Sequence, residues 1–401
     1  MKWEYKTLDQ LGTVSRGKSK HRPRNDPKLF GGKYPFIQTA DVKNADYYIT
    51  NYSDTYNESG LAQSKLWDKG TLCITIAANI ADTGVLAFPA CFPDSIMGFV
   101  PFEGVANTRF IKYCFDRLQR DCKQISQGTA QDNLSWEKLS TIKFCIPEYK
   151  EQCRIADILS AYDDLIENNQ KQIKLLEEAA QRFYKEWFVD LRFPGHENTK
   201  IVDGVPEGWR VASIADICDT VGGGTPSTKI QSYYEKGDIL WVTPTDITRN
   251  FSLALLDTEK KITPEGLKNS SAKMLPAETI LMTSRASVGF FGMCKYEVCT
   301  NQGFISCIPK RENLQMYLLF NLKSRVEEIR QKAGGSTYLE ISKTVFRELK
   351  IILPKDEVLA EYQKNVHDIF DEIYCRTEMI KSLVDMRNRL LPKLVSGEVE
   401  V

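Results

Sequence analysis

Residues 155–187 read IADILSAYDDLIENNQKQIKLLEEAAQRFYKEW. Steps of four and three through this stretch visit Ile155, Leu159, Tyr162, Ile166, Asn169, Ile173, Leu176, Ala180, Phe183 and Trp187, all apolar or aromatic but Asn169. A period of 3.5 is the mark of a coiled-coil seam. Adding 207 to each number lands on Tyr362, Val366, Ile369, Ile373, Arg376, Ile380, Leu383, Arg387, Leu390 and Leu394, a second seam in the same phase. A helix of 33 residues is about 50 Å long, longer than a domain of ~150 residues is wide, so much of either seam would face water without a partner helix. Each buried large side chain contributes roughly 1.5 to 3 kcal/mol gross, an upper bound, and this outweighs an occasional polar seam position. Asn169, Arg376 and Arg387 therefore read as register devices. The periodicity leaves open whether the two helices pair with each other or with another protein.

Working outward, each seam follows a short alternating run that ends at proline. Ile142-x-Phe144-x-Ile146-Pro147 corresponds to Leu349-x-Ile351-x-Leu353-Pro354 at an offset of 207. Period two predicts a strand, and proline removes a ladder donor. Upstream, Trp3, Leu8 and Leu11 match Trp209, Ile214 and Ile217 at 206. Phe36 to Val42 matches Trp241 to Ile247 at 205, and Met97-Gly-Phe99 matches Gln302-Gly-Phe304 at the same offset. Gly128-Thr129 lies against Gly335-Ser336. The chain is thus a duplication. Residues 1–148 form one globular unit, 149–193 a long helix, 194–208 a Pro- and Gly-rich linker, 209–355 a second unit and 356–401 a second helix. The fold class is α+β, with two mixed α/β units, two long helices and a pseudo-twofold internal repeat.

Composition narrows the function classes. At 401 residues the chain exceeds a single core. Its 53 basic and 53 acidic residues cancel, so affinity for nucleic acid must come from local patches. Eleven cysteines, scattered and without a CxxC pair, suggest reduced thiols rather than a disulfide frame or a zinc ribbon. The start MKWEYKTLDQ has no apolar signal core and no stretch of 18 apolar residues exists, so a cytoplasmic location without membrane contact is expected.

Gly12-Thr-Val-Ser-Arg-Gly-Lys18-Ser19 fits the phosphate-loop pattern G-x-x-x-x-G-K-[ST]. A true phosphate loop requires a helix after it, yet Pro23 and Pro27 follow, and the duplicate Val221-Gly-Gly-Gly-Thr-Pro-Ser227 has no lysine. The stretch reads better as a basic loop, with Arg16, Lys18, Lys20, Arg22 and Arg24 positioned to neutralise phosphates or read guanine. Glycines 222–224 suit a tight turn, with or without close approach to another backbone. His21, His196 and His367 lie far apart, so no metal site is expected, and no methyl-donor loop, nuclease carboxylate cluster or base for Ser287 or Ser336 is visible. No catalytic residue is assigned.

The ordered motifs Gly223-Gly-Thr-Pro-Ser227, Gly237-Asp-Ile-Leu-Trp-Val-Thr-Pro-Thr-Asp246, Ser284-Arg-Ala-Ser-Val-Gly289 and Thr300-Asn-Gln-Gly-Phe304 resemble type I restriction-modification specificity subunits. The first half is similar through Gly31 to Asp41, Ala77-Ala-Asn-Ile80 and the segment from Glu151-Gln152 to Trp187-Phe188. The resemblance implies that each globular unit is a target-recognition domain reading half of a split double-stranded DNA site, and that the helices pair as an antiparallel coiled coil. It implies two partner methyltransferase subunits using S-adenosylmethionine, motor-nuclease subunits using ATP and Mg, and no cofactor in this chain. One departure is that Ser396-Gly-Glu-Val-Glu-Val401 lacks the Trp187-Phe188 pair of the first copy. The expected DNA contacts are Lys18, Lys20, Arg22, Arg24, Gln38 and Asn79 in the first domain, and Thr225, Ser227, Lys229, Thr243 and Arg285 in the second. Gln127 and Thr337-Tyr338 mark an alternative surface. Two rival readings are a coiled-coil scaffold without a DNA role and a nucleotide-binding enzyme using Lys18.

Overall fold

The computed structural model describes residues 3–45, 47–76, 82–125, 136–335 and 338–401. They belong to two compact units, Met1–Ile166 with Leu383–Val401, and Glu167–Ser382.

The first unit is built on a five-stranded sheet ordered Gly12–Arg16, Ile96–Pro101, Leu72–Thr75, Thr83–Leu86 and Tyr48–Ile49. Its junctions are antiparallel except the last, which is parallel. Leu72–Thr75 is buried at every residue, and so it reads as an unbroken apolar run rather than an alternation. Phe110, Ile111 and Phe115, from helix Thr108–Ile125, join Leu72, Ile74 and Phe99 in one core. A second ladder pairs Phe30–Phe36 with Asp54–Tyr56, and Phe36 bridges Cys91 in parallel. The alternating run before the seam forms Phe144–Ile146, which pairs antiparallel with Glu4–Lys6.

The second unit repeats this plan. Cys218–Val221, Phe304–Pro309, Ile280–Thr283 and Phe291–Gly292 form a sheet in the same order. Trp241 and Val242 pair in parallel with Cys299 and Thr300, as Phe36 does with Cys91. Lys350–Leu353 pairs with Arg210–Ser213. The copies differ where the first has strand Tyr48–Ile49, because the second has only a parallel bridge from Ala254 to Met293. Within the linker, Ile201–Val202 and Val205–Pro206 form a small hairpin. Its turn residues Asp203 and Gly204 have φ of 51° and 79°, the positive angles a two-residue hairpin turn of this kind demands.

The long helices are Tyr149–Tyr184 and Asp356–Ser396. The first passes at Lys185–Val189 into a π-helical turn carrying Trp187, where unbroken α-helix was expected. In the first unit Ile155, Ala156 and Leu159 share a core with Leu391, Leu394 and Val395, and Asp163 pairs with Arg387. In the second unit Arg376 donates to Asn169 at 3.1 Å, and the ring of Tyr362 lies 6.0 Å from Phe183 and 5.8 Å from Trp187. Residue numbers rise on one helix as they fall on the other, so the helices pair with each other, antiparallel. The seam positions Ile166, Ile173, Val366, Ile373 and Ile380 are buried, while Leu176, Leu383 and Leu390 are half-buried. The buried stripe is wider than the seam, since Leu359, Phe370, Tyr374 and Thr377 are buried too. A helix that is both coiled-coil partner and wall of a globular core needs two apolar faces.

The repeat extends to how each globular fold seats on its helix. Gln152 Oε1 accepts from Asn107 N at 3.0 Å, and Gln363 Oε1 accepts from Met316 N at 2.9 Å. Both glutamines are buried, so these bonds satisfy backbone donors that would otherwise be stranded.

Candidate nucleic-acid interface

The pattern that resembles a phosphate loop takes a different form in three dimensions. Gly12–Arg16 is a strand, and residues 17–26 contain no helix. Gly17 is required because a Cβ there would lie 2.3 Å from the Phe92 carbonyl oxygen and 2.4 Å from that of Pro93. Gly223 stands in the same place, where a Cβ would lie 2.0 Å from the oxygen of Thr300 and 2.2 Å from that of Asn301. The next amide bonds back in both copies, Lys18 N to Phe92 O at 3.0 Å and Gly224 N to Thr300 O at 2.9 Å. These glycines accommodate the chain's own backbone, not a phosphate.

That close approach draws together loops from distant parts of the first unit. Lys18, Lys20, Arg22 and Arg24 are all exposed on the stretch after Gly17. Several are already engaged. Arg24 pairs with Asp94 at 2.8 Å, and the Arg22 guanidinium donates to the carbonyls of Ser19 and His21 at 2.7 and 2.8 Å. Asp26 accepts from Lys28 N and meets His21 Nε2, both at 3.0 Å, and the Lys28 amide first, then His21, holds its carboxyl below the usual range. The local positive charge is thus smaller than the letters imply, because Asp94 neutralises Arg24, while Lys18, Lys20 and Arg22 keep theirs. Arg24 and Gln38 line one hollow of about 450 Å³ together with Ser19, Asn25 and Asp54.

Gln38 and Thr243 occupy corresponding helix starts. The backbone N of Gln38 donates to Asp41 at 2.7 Å and that of Thr243 to Asp246 at 2.7 Å, ahead of helices Thr39–Lys43 and Pro244–Thr248. The Thr243 hydroxyl also donates to Asp246, at 2.6 Å, and the two residues form a capping box at this helix start. The Thr225 hydroxyl donates to Gln302 at 2.5 Å, Ser284 N donates to Gly303 O at 2.8 Å, Ile341 N donates to Ser284 O at 3.0 Å, and Arg285 lies 3.7 Å from Glu340. These links join Thr225, Gln302, Arg285 and Glu340 in one loop cluster of the second unit, with the exposed Tyr338 two residues before Glu340. Ser227 and Lys229 are exposed on the turn beyond. Asn79, Gln127 and Thr337 lie outside the described residues.

Sequence reasoning missed Ser19, Asp54, Asp94, Gln302 and Glu340. The strands Ile96–Pro101 and Phe304–Pro309 correspond at an offset of 208, not at the 205 that set Met97-Gly-Phe99 against Gln302-Gly-Phe304, so Asp94 and Gln302 are counterparts that the sequence match had displaced by three residues. It also missed a juxtaposition in the second unit. His367 Nε2 lies 3.1 Å from Glu278 and Nδ1 lies 3.4 Å from Asp371, although 89 residues separate His367 from Glu278. Lys295 already neutralises Asp371 at 2.6 Å, and no ligand for the group is indicated.

Comparison with known proteins adds a consistent picture. A model of the Type I restriction modification DNA specificity domain matches residues 1–178 and again residues 206–384. The MjaIX specificity subunit of a type I restriction enzyme from Methanocaldococcus jannaschii is 27% identical, over 100% of this chain and 94% of its own. The HindI specificity subunit from Haemophilus influenzae is 26% identical over 66% of this chain and 71% of its own. The crystal structure of a type I restriction-modification S subunit from M. genitalium superposes with a TM-score of 0.58 at 17% identity, covering 98% of this chain and 96% of that one. It shares the fold.

Proposed function

Since the chain belongs to the family of type I restriction modification DNA specificity domains and carries two copies of that domain, recognising a DNA target is its task, and we propose that it does so in two halves, one read by each unit. The observation that carries this reading is the repeated loop cluster, built on Gly17 in one unit and Gly223 in the other, which presents different polar side chains on one scaffold. Loops held by a rigid framework are where sequence-reading side chains belong. The two helices, 36 and 41 residues long, set the number of unread base pairs between the halves. Sites one turn of duplex apart are about 34 to 36 Å from each other, within the reach of such helices. Among the described residues no helix is long and apolar enough to cross a membrane.

On this reading the chain supplies the address and its partners the chemistry. Two methyltransferase subunits use S-adenosylmethionine, and motor-nuclease subunits use ATP and Mg. The relatives named as restriction-enzyme specificity subunits support that division. A methylation map of host DNA, made with and without the chain, tests it. A two-part motif is expected to appear with the chain, and replacing residues 1–148 by another recognition domain changes one part alone. A map without a split motif, or a swap that changes both parts, overturns the reading.

Lys18 and Lys20, exposed on the first unit's loop, serve to neutralise phosphates. Replacing either by alanine weakens binding equally for all target sequences and lowers the salt slope by about 0.9 for each phosphate left without its cation. Titrations of the complex at several salt concentrations measure both.

A further inference from the structure

We propose that Gln38 reads an adenine in the half-site bound by the first unit, and that Asp54 is the positioning residue that sets the sense of its amide; this rests on the two-part DNA reading above. Gln38 is fixed at both ends. Its backbone N donates to Asp41 Oδ2 at 2.7 Å, and the other oxygen of Asp41 accepts the Ser53 hydroxyl at 2.8 Å, which brings the segment carrying Asp54 alongside. The Gln38 amide nitrogen then donates to Asp54 Oδ2 at 2.5 Å. A carboxylate can only accept, so the amide cannot turn over without setting oxygen against oxygen.

The capping box turns the Gln38 side chain toward the Asp41 amide, so what remains for a ligand is one amide hydrogen and the second lone pair of the carbonyl oxygen, on an exposed side chain lining an open hollow. In the major groove adenine presents a donor at N6 beside an acceptor at N7, the partner a glutamine amide matches with two bonds. Guanine and thymine present O6 or O4 to that carbonyl, and cytosine offers a donor without the neighbouring acceptor. Ser19 lines the same hollow at 5% exposure, and its hydroxyl has no partner among the described residues.

The second copy cannot read the same base in the same way. The counterpart of Gln38 is Thr243, whose hydroxyl is taken by Asp246 at 2.6 Å. The ladders Phe36–Asp54 and Leu240–Lys261 place Lys260 opposite where Asp54 stands. A cation cannot hold an amide in that sense.

The test uses the chain assembled with its partner methyltransferase subunits on duplexes carrying the mapped target. Each adenine of the first half-site is replaced in turn by 7-deazaadenine or by purine without its 6-amino group. At one position both analogues are expected to weaken binding roughly 10- to 100-fold, and Gln38→Ala removes that sensitivity. Asp54→Asn, which permits the amide to turn over, relaxes discrimination between adenine and guanine at that position, read as the ratio of the two affinities within the same variant so that the effect of losing a negative charge beside the phosphates cancels. A purely structural role for Asp54 would not produce this pattern. Sensitivity that persists in Gln38→Ala, or that spreads evenly over the adenines of the half-site, overturns the inference. A wild-type complex that selects no split target at all overturns the two-part reading, and this inference with it.

Discussion

Replacing Arg387 by methionine is expected to cost the first unit roughly 3 to 5 kcal/mol, the range for stranding a buried charge. Asp163 is 3% exposed, accepts the Tyr113 hydroxyl at 2.5 Å and pairs with Arg387. Arg120 reinforces the place by donating to the Asn388 carbonyl at 3.0 Å. Burial nevertheless holds the Asp163 carboxyl above its ordinary range, against the pull of Arg387 and Tyr113. Desolvation therefore exceeds attraction, and the pair serves register more than stability. Asp163→Leu combined with Arg387→Met accordingly recovers most of the loss, because no lone charge is left. The deficit of Arg387→Met alone is largest at neutral pH and shrinks in acid. A carboxyl whose folded pKa lies above its unfolded value binds its proton more tightly in the folded state, so its contribution is present in acid and is lost as pH rises through the folded pKa. Thermal melts of the full chain at neutral pH and near pH ~4.5 measure both effects. A single variant as stable as the double variant at neutral pH would show that Asp163 is not stranded.

Gly223→Val is expected to abolish reading of the second half-site and leave the first intact. Its Cβ would sit 2.0 Å from the Thr300 oxygen and 2.2 Å from the Asn301 oxygen, both backbone atoms that cannot swing aside. Forced overpacking typically costs about 1 to 3 kcal/mol, occasionally more, and here relief comes only from opening the close approach that sets Thr225 against Gln302. Gly17→Val does the same to the first unit, where Phe92 and Pro93 are the obstacles. Protection of each half-site from chemical cleavage, measured with both variants, separates the two effects. Equal loss of protection at both halves in either variant would show that the loops do not act as independent readers.

Much of the fold was legible because its signals are local. A seam with a period of 3.5 and strands with a period of two depend on neighbours a few residues away, and a duplication prints the same local pattern twice. The polar seam residues could be recognised as register devices, but not paired. Asn169 and Arg376 are 207 residues apart, and Asp163 and Arg387 are 224 apart. The basic loop was visible as letters, yet its charge was overstated because Asp94, the partner of Arg24, lies 70 residues away. Thr243 was marked as a DNA contact by its motif, and spacing did not show that its hydroxyl also bonds Asp246 of its own helix.

The amino-acid sequence by itself determined the repeat, the two long helices, the strands that precede them and the family resemblance, since each is a periodicity or an ordered set of short motifs. Only the tertiary structure decided that the helices pair antiparallel with each other, that Gly17 and Gly223 serve a close backbone approach, and that Asp54 meets Gln38. Those outcomes depend on which distant groups share a buried or hydrogen-bonded place, and spacing along a chain does not carry that information.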